Sequence, residues 1–106
     1  SKIEPPNKLT RSFGDVLFRL ELVSGEIVST SGPKYHRFLG KDRTFHGFAL
    51  KTQTGEIYAA ATQSQEIPKV GDNITALLGY EQGWEFAMQT EQGTVFCRTL
   101  ISYAPQ

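Results

Sequence analysis

Residues 73–100, NITALLGYEQGWEFAMQTEQGTVFCRTL, decide the fold class of this chain. The tripeptide Glu-Gln-Gly occurs twice in this stretch, at 81–83 and at 91–93, and each copy is followed by a short run of mixed apolar and polar residues. Glycine-containing turns between short runs of β-branched and aromatic residues are typical of consecutive antiparallel strands. We therefore predict a meander of three strands at residues 73–80, 84–90 and 94–100.

The same rhythm of strand and turn extends towards the N-terminus. In residues 15–22, DVLFRLEL, the apolar side chains of Phe18, Leu20 and Leu22 alternate with charged ones, which is the period of a half-buried strand. Further strands are predicted at residues 26–30, 44–52 and 57–62, with turns at 24–25, 31–33, 53–55 and 70–72. In the last of these turns Gly71 can take positive φ and Asp72 can bond nearby backbone.

Short strands at regular spacing predict an all-β domain, because no window of about 11 residues carries a helical apolar stripe. The predicted architecture is a small closed or partly open barrel of about six to seven short antiparallel strands, OB-like or SH3-like, with little helix. Closure is favoured because it removes exposed strand edges. A two-sheet β-sandwich is the alternative. Residues 1–12 are predicted to be an irregular lead-in, and residues 13–104 a single domain.

Charge is distributed unevenly along the chain. The 106 residues include eleven basic and eleven acidic side chains, so the net charge is zero. Residues 34–51 carry five basic and one acidic group, whereas residues 52–106 carry two basic and six acidic groups. Because exposed charges act over a Debye length of about 8–10 Å, a positive and a negative surface are expected on the folded molecule.

Targeting and redox signals are sparse. A single cysteine, Cys97, excludes an internal disulfide, and there is neither a signal peptide nor an apolar run of about 18 residues. These features predict a cytoplasmic protein without a membrane span. The chain begins at Ser1, so an excised domain of a longer protein is an open alternative.

The basic part of the chain, residues 34–51 (KYHRFLGKDRTFHGFALK), interleaves cations with aromatic rings. Cations neutralise phosphates, and flat rings offer faces on which unpaired bases stack. The leading hypothesis is a non-catalytic domain that binds single-stranded nucleic acid with weak sequence specificity through residues 34–48. The candidate phosphate contacts are Lys34, Arg37, Lys41 and Arg43, and the candidate stacking rings are Tyr35, Phe38 and Phe45.

Two other interpretations of this segment stay open. In the first interpretation, the aromatic rings are core residues, and the charged side chains are only their solvent-exposed neighbours on a surface strand. In the second, the chain is a protein-interaction or assembly module, in which the segment 34–51, with its net charge of +4, meets the acidic C-terminal region of another molecule. Tyr80 and Trp84, which flank the first Glu-Gln-Gly turn, are the candidate partner-binding residues; the alternative is that Trp84 anchors the core of the last hairpin.

The sequence favours no catalytic or metal chemistry. His36 and His46 stand ten residues apart and Cys97 is distant from both, so no metal-ligand spacing is present. In its apolar context Cys97 is expected to be a small buried hydrophobe. No nucleophile elbow or phosphate-cradling loop occurs. We predict neither enzymatic activity nor a cofactor.

Overall fold

Over the residues that it describes, the computed structural model of the chain contains seven strands and no helix. It describes the backbone of residues 8–13, 16–38, 40–80 and 87–106, and the side chains of residues 19–35, 37, 40–79 and 87–106. The strands are β1 (Lys8–Phe13), β2 (Val16–Phe38), β3 (Lys41–Lys51), β4 (Ile57–Thr62), β5 (Asn73–Tyr80), β6 (Ala87–Thr90) and β7 (Gly93–Pro105). The predicted all-β class is confirmed.

Five of these strands form a ring. Hydrogen bonds join β2 to β3, β3 to β4, β4 to β7 and β7 to β5, and β5 returns to β2. The pairing of β4 with β7 is parallel, with Ala59 opposite Cys97, and this pair was not predicted; the other pairings are antiparallel. β1 extends the sheet from β2, and β6 pairs with β7 outside the ring. One sheet that returns to its first strand fits a barrel-like fold rather than a two-sheet sandwich.

The long strand β2 closes this ring by changing partners. Its first half pairs with β5 and its second half with β3, and Glu26 is in register with residues of both, Asn73 and Lys51. The predicted turn at 24–25 is wrong, because β2 continues through it. The strand also continues through 31–33, but the predicted break is seen there as an interruption of its pairing with β3 between Ser31 and Lys34, where Gly32 has φ of 126°. A further register shift, which was not predicted, lies between Ile27 and Ser29.

The apolar side chains form two clusters, one on each side of the ring wall. The cluster that we call the inner core consists of Val23, Ile27, Phe48, Leu50, Ala60, Ile74, Ala76 and Leu78. A second cluster, the outer core, consists of Phe45, Ala49, Ala59, Ala61, Met88 and Cys97. The outer core exists because the hairpin of β6 and β7 folds over the outer face of β3 and β4, and the small side chains of Ala49, Ala59 and Ala61 leave room for it.

The structure confirms some of the predicted turns and strands and corrects others. The hairpin of β3 and β4 around residues 53–55 is confirmed. So is the turn at 70–72, where Gly71 has φ of 97° and the Asp72 carboxylate accepts the Lys69 backbone N–H at 2.9 Å. Residues 8–12, expected to be irregular, belong to β1, which is paired with β2. The predicted strand at 84–90 is described only from Ala87 onwards.

Candidate nucleic-acid interface

Beyond the ring, β2 and β3 continue together as a two-stranded ribbon. Residues 34–38 pair with residues 41–45, from Lys34 opposite Phe45 to Phe38 opposite Lys41. β4 pairs with β3 only from His46 onwards, and β5 pairs with β2 only as far as Glu26. Among the described residues, the ribbon is therefore an extension of the sheet without a third strand. Most of the predicted site lies on it.

The cations of the ribbon are divided between its two faces. Residues directly opposite each other in an antiparallel pair share a face, and successive residues of a strand alternate. Lys34, Lys41 and Arg43 therefore lie on the face that continues from Phe45, which we call the cationic face. Lys34 and Lys41 are exposed and Arg43 is half-buried. This arrangement brings three of the four predicted phosphate contacts together.

The fourth predicted phosphate contact, Arg37, lies on the opposite face with Tyr35. Its Nη1 stands 3.4 Å from Oδ1 of Asp42, and its Nη2 donates to the Gly40 carbonyl at 3.2 Å. Both members of this ion pair are largely exposed, so it adds little stability, yet it lowers the net charge of this face. The Tyr35 ring is 79% exposed and available for contact.

Phe45 is not a stacking residue, and that prediction is wrong. Its side chain is 1% exposed and packs in the outer core with Met88 and Cys97. A base cannot reach a ring that other side chains cover completely. Phe48 is equally buried, in the inner core. The interpretation of the rings as core residues therefore holds for both. The side chains of Phe38 and Tyr80, and all of Trp84, lie outside the described residues.

An exposed ring that the sequence analysis missed is Phe96 in β7, which is 67% exposed. Its neighbours Val95 and Cys97 pack onto the outer core, so alternation along the strand turns Phe96 away from it. The outer core also contains Phe45, which is opposite Lys34, and the Lys34 charge acts on the Cys97 thiol. Cys97, the next residue of β7, therefore lies near the cationic face, while the Phe96 ring projects from the other side of the strand. The sequence signal that could have identified Phe96 is the alternation in residues 94–100, TVFCRTL, where Val95 and Cys97, which face the outer core, flank a phenylalanine that faces away from it.

The surroundings of the Cys97 thiol disfavour its nucleophilic form, the thiolate. Burial raises the pKa of Cys97 from 9.0 to about 12, and the nearby Lys34 cation lowers it only in part. The side chain is 3% exposed, as expected for a small buried hydrophobe. A thiol that stays protonated at neutral pH does not attack a substrate.

The opposite end of β3 carries the negative charge. Here lie Glu26, Glu56, Asp72 and Glu91 together with Lys51 and Lys69, and we call this region the acidic end. Lys51 belongs to the basic segment in sequence, but its Nζ stands 3.0 Å from Oε2 of Glu91. The segment 34–51 is thus not one positive surface. Its last cation helps to neutralise the other end of the molecule.

A cavity of about 520 Å³ opens at the acidic end. Its lining residues are mostly polar, although they expose polar and apolar atoms in similar amounts: Ser24, Gly25, Glu26, Lys51, Thr52, Gln53, Thr54, Asn73 and Gln106. The turn of the β6–β7 hairpin is held next to the acidic end by a hydrogen bond, which Gln92 Nε2 donates to the Gly55 carbonyl at 2.7 Å.

No cluster of three or more histidine, cysteine or carboxylate side chains that could hold a metal ion occurs in the described part of the chain. Nδ1 of His46 is buried and lacks a hydrogen-bond partner there. The described residues include no helix able to cross a membrane. Comparisons with protein-family models, with curated proteins and with solved structures found no match.

Proposed function

We propose that this protein binds single-stranded nucleic acid with weak sequence specificity, through the cationic face of the ribbon and the exposed rings of Phe96 and Tyr35. The observation that carries the proposal is the common face of Lys34, Lys41 and Arg43 on a projecting ribbon. Cations in a row release counterions from a phosphate backbone, and this release supplies most of non-specific affinity.

The order of the strands supports this proposal at the level of fold analogy. If the ring strands are counted along the chain, the ribbon connects the first to the second, and the segment with β6 connects the fourth to the fifth. In five-stranded barrels of the oligonucleotide-binding kind, these two connections and the face of the second and third strands hold the ligand. Such an analogy raises the expectation but does not replace evidence from the site.

The hairpin of β6 and β7 determines where a strand would run. It covers the outer face of β3 and β4 through Met88, Val95 and Cys97, so that face has no room for bases. The proposed path therefore passes over the cationic face and along the outer side of the hairpin, where Phe96 is exposed. Stacking on Phe96 requires an unpaired base, and reaching Tyr35 on the other face of the ribbon requires a strand that crosses the edge of the ribbon; both favour single strands over a duplex.

The test is a fluorescence-anisotropy titration of a labelled single-stranded oligonucleotide at several salt concentrations. We expect log K to fall linearly with log salt, and the double variant K41Q/R43Q to lower the slope by about 0.7 for each phosphate that it no longer neutralises. The matched control is Lys69→Gln, which removes an exposed cation at the acidic end and leaves the slope unchanged. Absence of binding at low salt would overturn the proposal, and so would an equal weakening of binding in the double variant and the control.

A further inference from the structure

The ribbon and the polar cavity stand at opposite ends of one strand. Lys41 is the first residue of β3 and Lys51, which lines the cavity, is the last. Ten residues of extended chain span about 33 Å, so one molecule cannot bring its own ribbon to its own cavity. A contact between these two surfaces has to join two copies of the chain.

The cavity is suited to a cationic side chain. Glu26 contributes a carboxylate to its wall and has no ion-pair partner among the described residues. The one cation in the wall, Lys51, is engaged by Glu91 at 3.0 Å. The lining hydroxyls of Ser24, Thr52 and Thr54 already bond to neighbouring groups, which leaves the side-chain amide oxygens of Gln53, Asn73 and Gln106 as further acceptors for an ammonium group. A volume of about 520 Å³ exceeds what one lysine side chain occupies.

The tip of the ribbon offers the complementary group. Lys41 is exposed beside Gly40 at the end of the hairpin, and the described side chains of the ribbon carry four cations against the single carboxylate of Asp42. Because the chain as a whole has zero net charge, two copies do not repel each other at long range. Opposite charges on opposite ends orient approaching copies head to tail.

We propose that copies of this chain associate head to tail, with the ribbon tip of one copy in the cavity of the next and the Lys41 ammonium on the Glu26 carboxylate. The contact is heterologous, so it builds an open chain or a ring rather than a closed symmetric pair. It goes beyond the proposed function and uses the same ribbon. Assembly and oligonucleotide therefore compete for Lys41.

The test uses two charge-reversal variants, Lys41→Glu and Glu26→Lys, in analytical ultracentrifugation at low salt. We expect the mean mass of the unaltered protein to rise with concentration at low salt and to return to the monomer at high salt. Each variant alone stays monomeric, with at least a tenfold weaker association. An equimolar mixture of the two associates again and grows beyond the dimer, because the native contact and the charge-reversed contact are both complementary and alternate along the assembly.

The double variant E26K/K41E provides the decisive control, because it restores charge complementarity in the reversed sense and regains self-association. Both positions are exposed, so circular dichroism should show both single variants folded. A monomer at every concentration and low salt overturns the proposal, and so does a mixture that remains monomeric. Oligonucleotide binding by Glu26→Lys keeps the two proposals apart, because this variant leaves the ribbon intact and, with Lys41 released from the competing assembly contact, should bind at least as tightly as the unaltered protein.

Discussion

The guanidinium of Arg98 lies 2.9 Å from Oε1 of Glu21 and joins β7 to β2, two strands that share no hydrogen-bonded ladder. The Glu21 side chain is 8% exposed and that of Arg98 is 28% exposed. The same guanidinium stands 4.7 Å from the centre of the Tyr58 ring in β4. One side chain thus connects three strands of the ring. This ion pair occupies a partly buried position between strands, where apolar side chains are the usual occupants.

Replacing Arg98 by alanine should therefore destabilise the fold strongly. The Glu21 carboxylate would be left in a buried position without the Arg98 cation, and breaking such a pair costs about 3 kcal/mol. Urea denaturation would measure this loss. Lys51→Ala is the control, because its pair with Glu91 is largely exposed and should cost less than about 1 kcal/mol.

The double variant E21L/R98M tests the cause of that loss. Two apolar side chains remove both charges, so most of the stability that Arg98→Ala forfeits should return. Equal destabilisation in the single and the double variants would contradict an origin in the uncompensated carboxylate.

Gly25 should not tolerate a side chain. A Cβ atom built on it would lie 2.2 Å from the Lys51 carbonyl oxygen and 2.8 Å from the carbon that carries this oxygen, both backbone atoms that cannot turn away. We expect Gly25→Ala to lower the free energy of unfolding by more than about 1 kcal/mol, as overpacking does. Gly79→Ala is the matched control, because its Cβ would meet only side-chain atoms, at 3.5 Å or more. Equal urea midpoints for the two variants would contradict this explanation.

Gly25 also shows why the sequence predicted the fold class better than it predicted the turns and the pairing of the strands. Ser24-Gly25 has the composition of a turn, yet the glycine lies inside β2, where β3 approaches closely as the strand changes partners. A local sequence pattern shows that a small residue is present. It does not show whether the residue forms a turn or lets a neighbouring strand come close to the backbone. The parallel pairing of β4 with β7 was unpredictable for the same reason, since it joins segments distant in sequence.

The candidate site was predictable only in part. Charge singled out the segment that forms the ribbon, but which face each residue takes depends on the register shift before Lys34. Phe45 alternates like a surface residue. It is buried because the hairpin of β6 and β7 covers the outer face of β3, a second layer that the pattern of β3 alone does not reveal. The same layer carries Phe96 to the surface.

Phe45 and Tyr35 should behave differently when truncated. Phe45→Ala removes a fully buried ring and should destabilise the fold by about 3–5 kcal/mol. Tyr35→Ala removes a ring that is 79% exposed and should change stability by less than about 0.5 kcal/mol. Urea denaturation of the two variants decides the matter. A mild effect at Phe45 would mean that its ring is not part of the core.

Phe96 should contribute to oligonucleotide binding without affecting its salt dependence. Loss of one base–aromatic stack weakens binding by about 1–3 kcal/mol, whereas the number of neutralised phosphates stays the same. Phe96→Ala should therefore shift the titration curve at every salt concentration and leave the slope of log K against log salt unaltered. Val70→Ala is the control, because this exposed apolar side chain lies by the turn at the acidic end. Equal binding by both variants would remove Phe96 from the site.

The buried thiol of Cys97 should make the fold sensitive to alkali. The folded chain holds this proton up to a pKa of about 12, whereas an exposed thiol loses it near 9.0. Above pH 9 the unfolded state therefore binds fewer protons than the folded one, and the free energy of unfolding falls as pH rises towards 12. Burial and the carboxylates of Glu21 and Glu56 also raise the pKa of Tyr58, against the opposing effect of Arg98, so Tyr58 adds to the loss from its usual 10.0 upwards.

The contribution of Cys97 can be separated from that of Tyr58 with the variant Cys97→Ala, whose unfolding free energy should depend less on pH between 9 and 10. Urea denaturation across this range measures it. Because only the thiolate reacts, the native thiol should also resist a disulfide reagent at pH 8 and react promptly once urea has unfolded the chain. Prompt reaction of the folded protein, with unchanged circular dichroism, would mean that the outer core opens around Cys97 without unfolding of the ring.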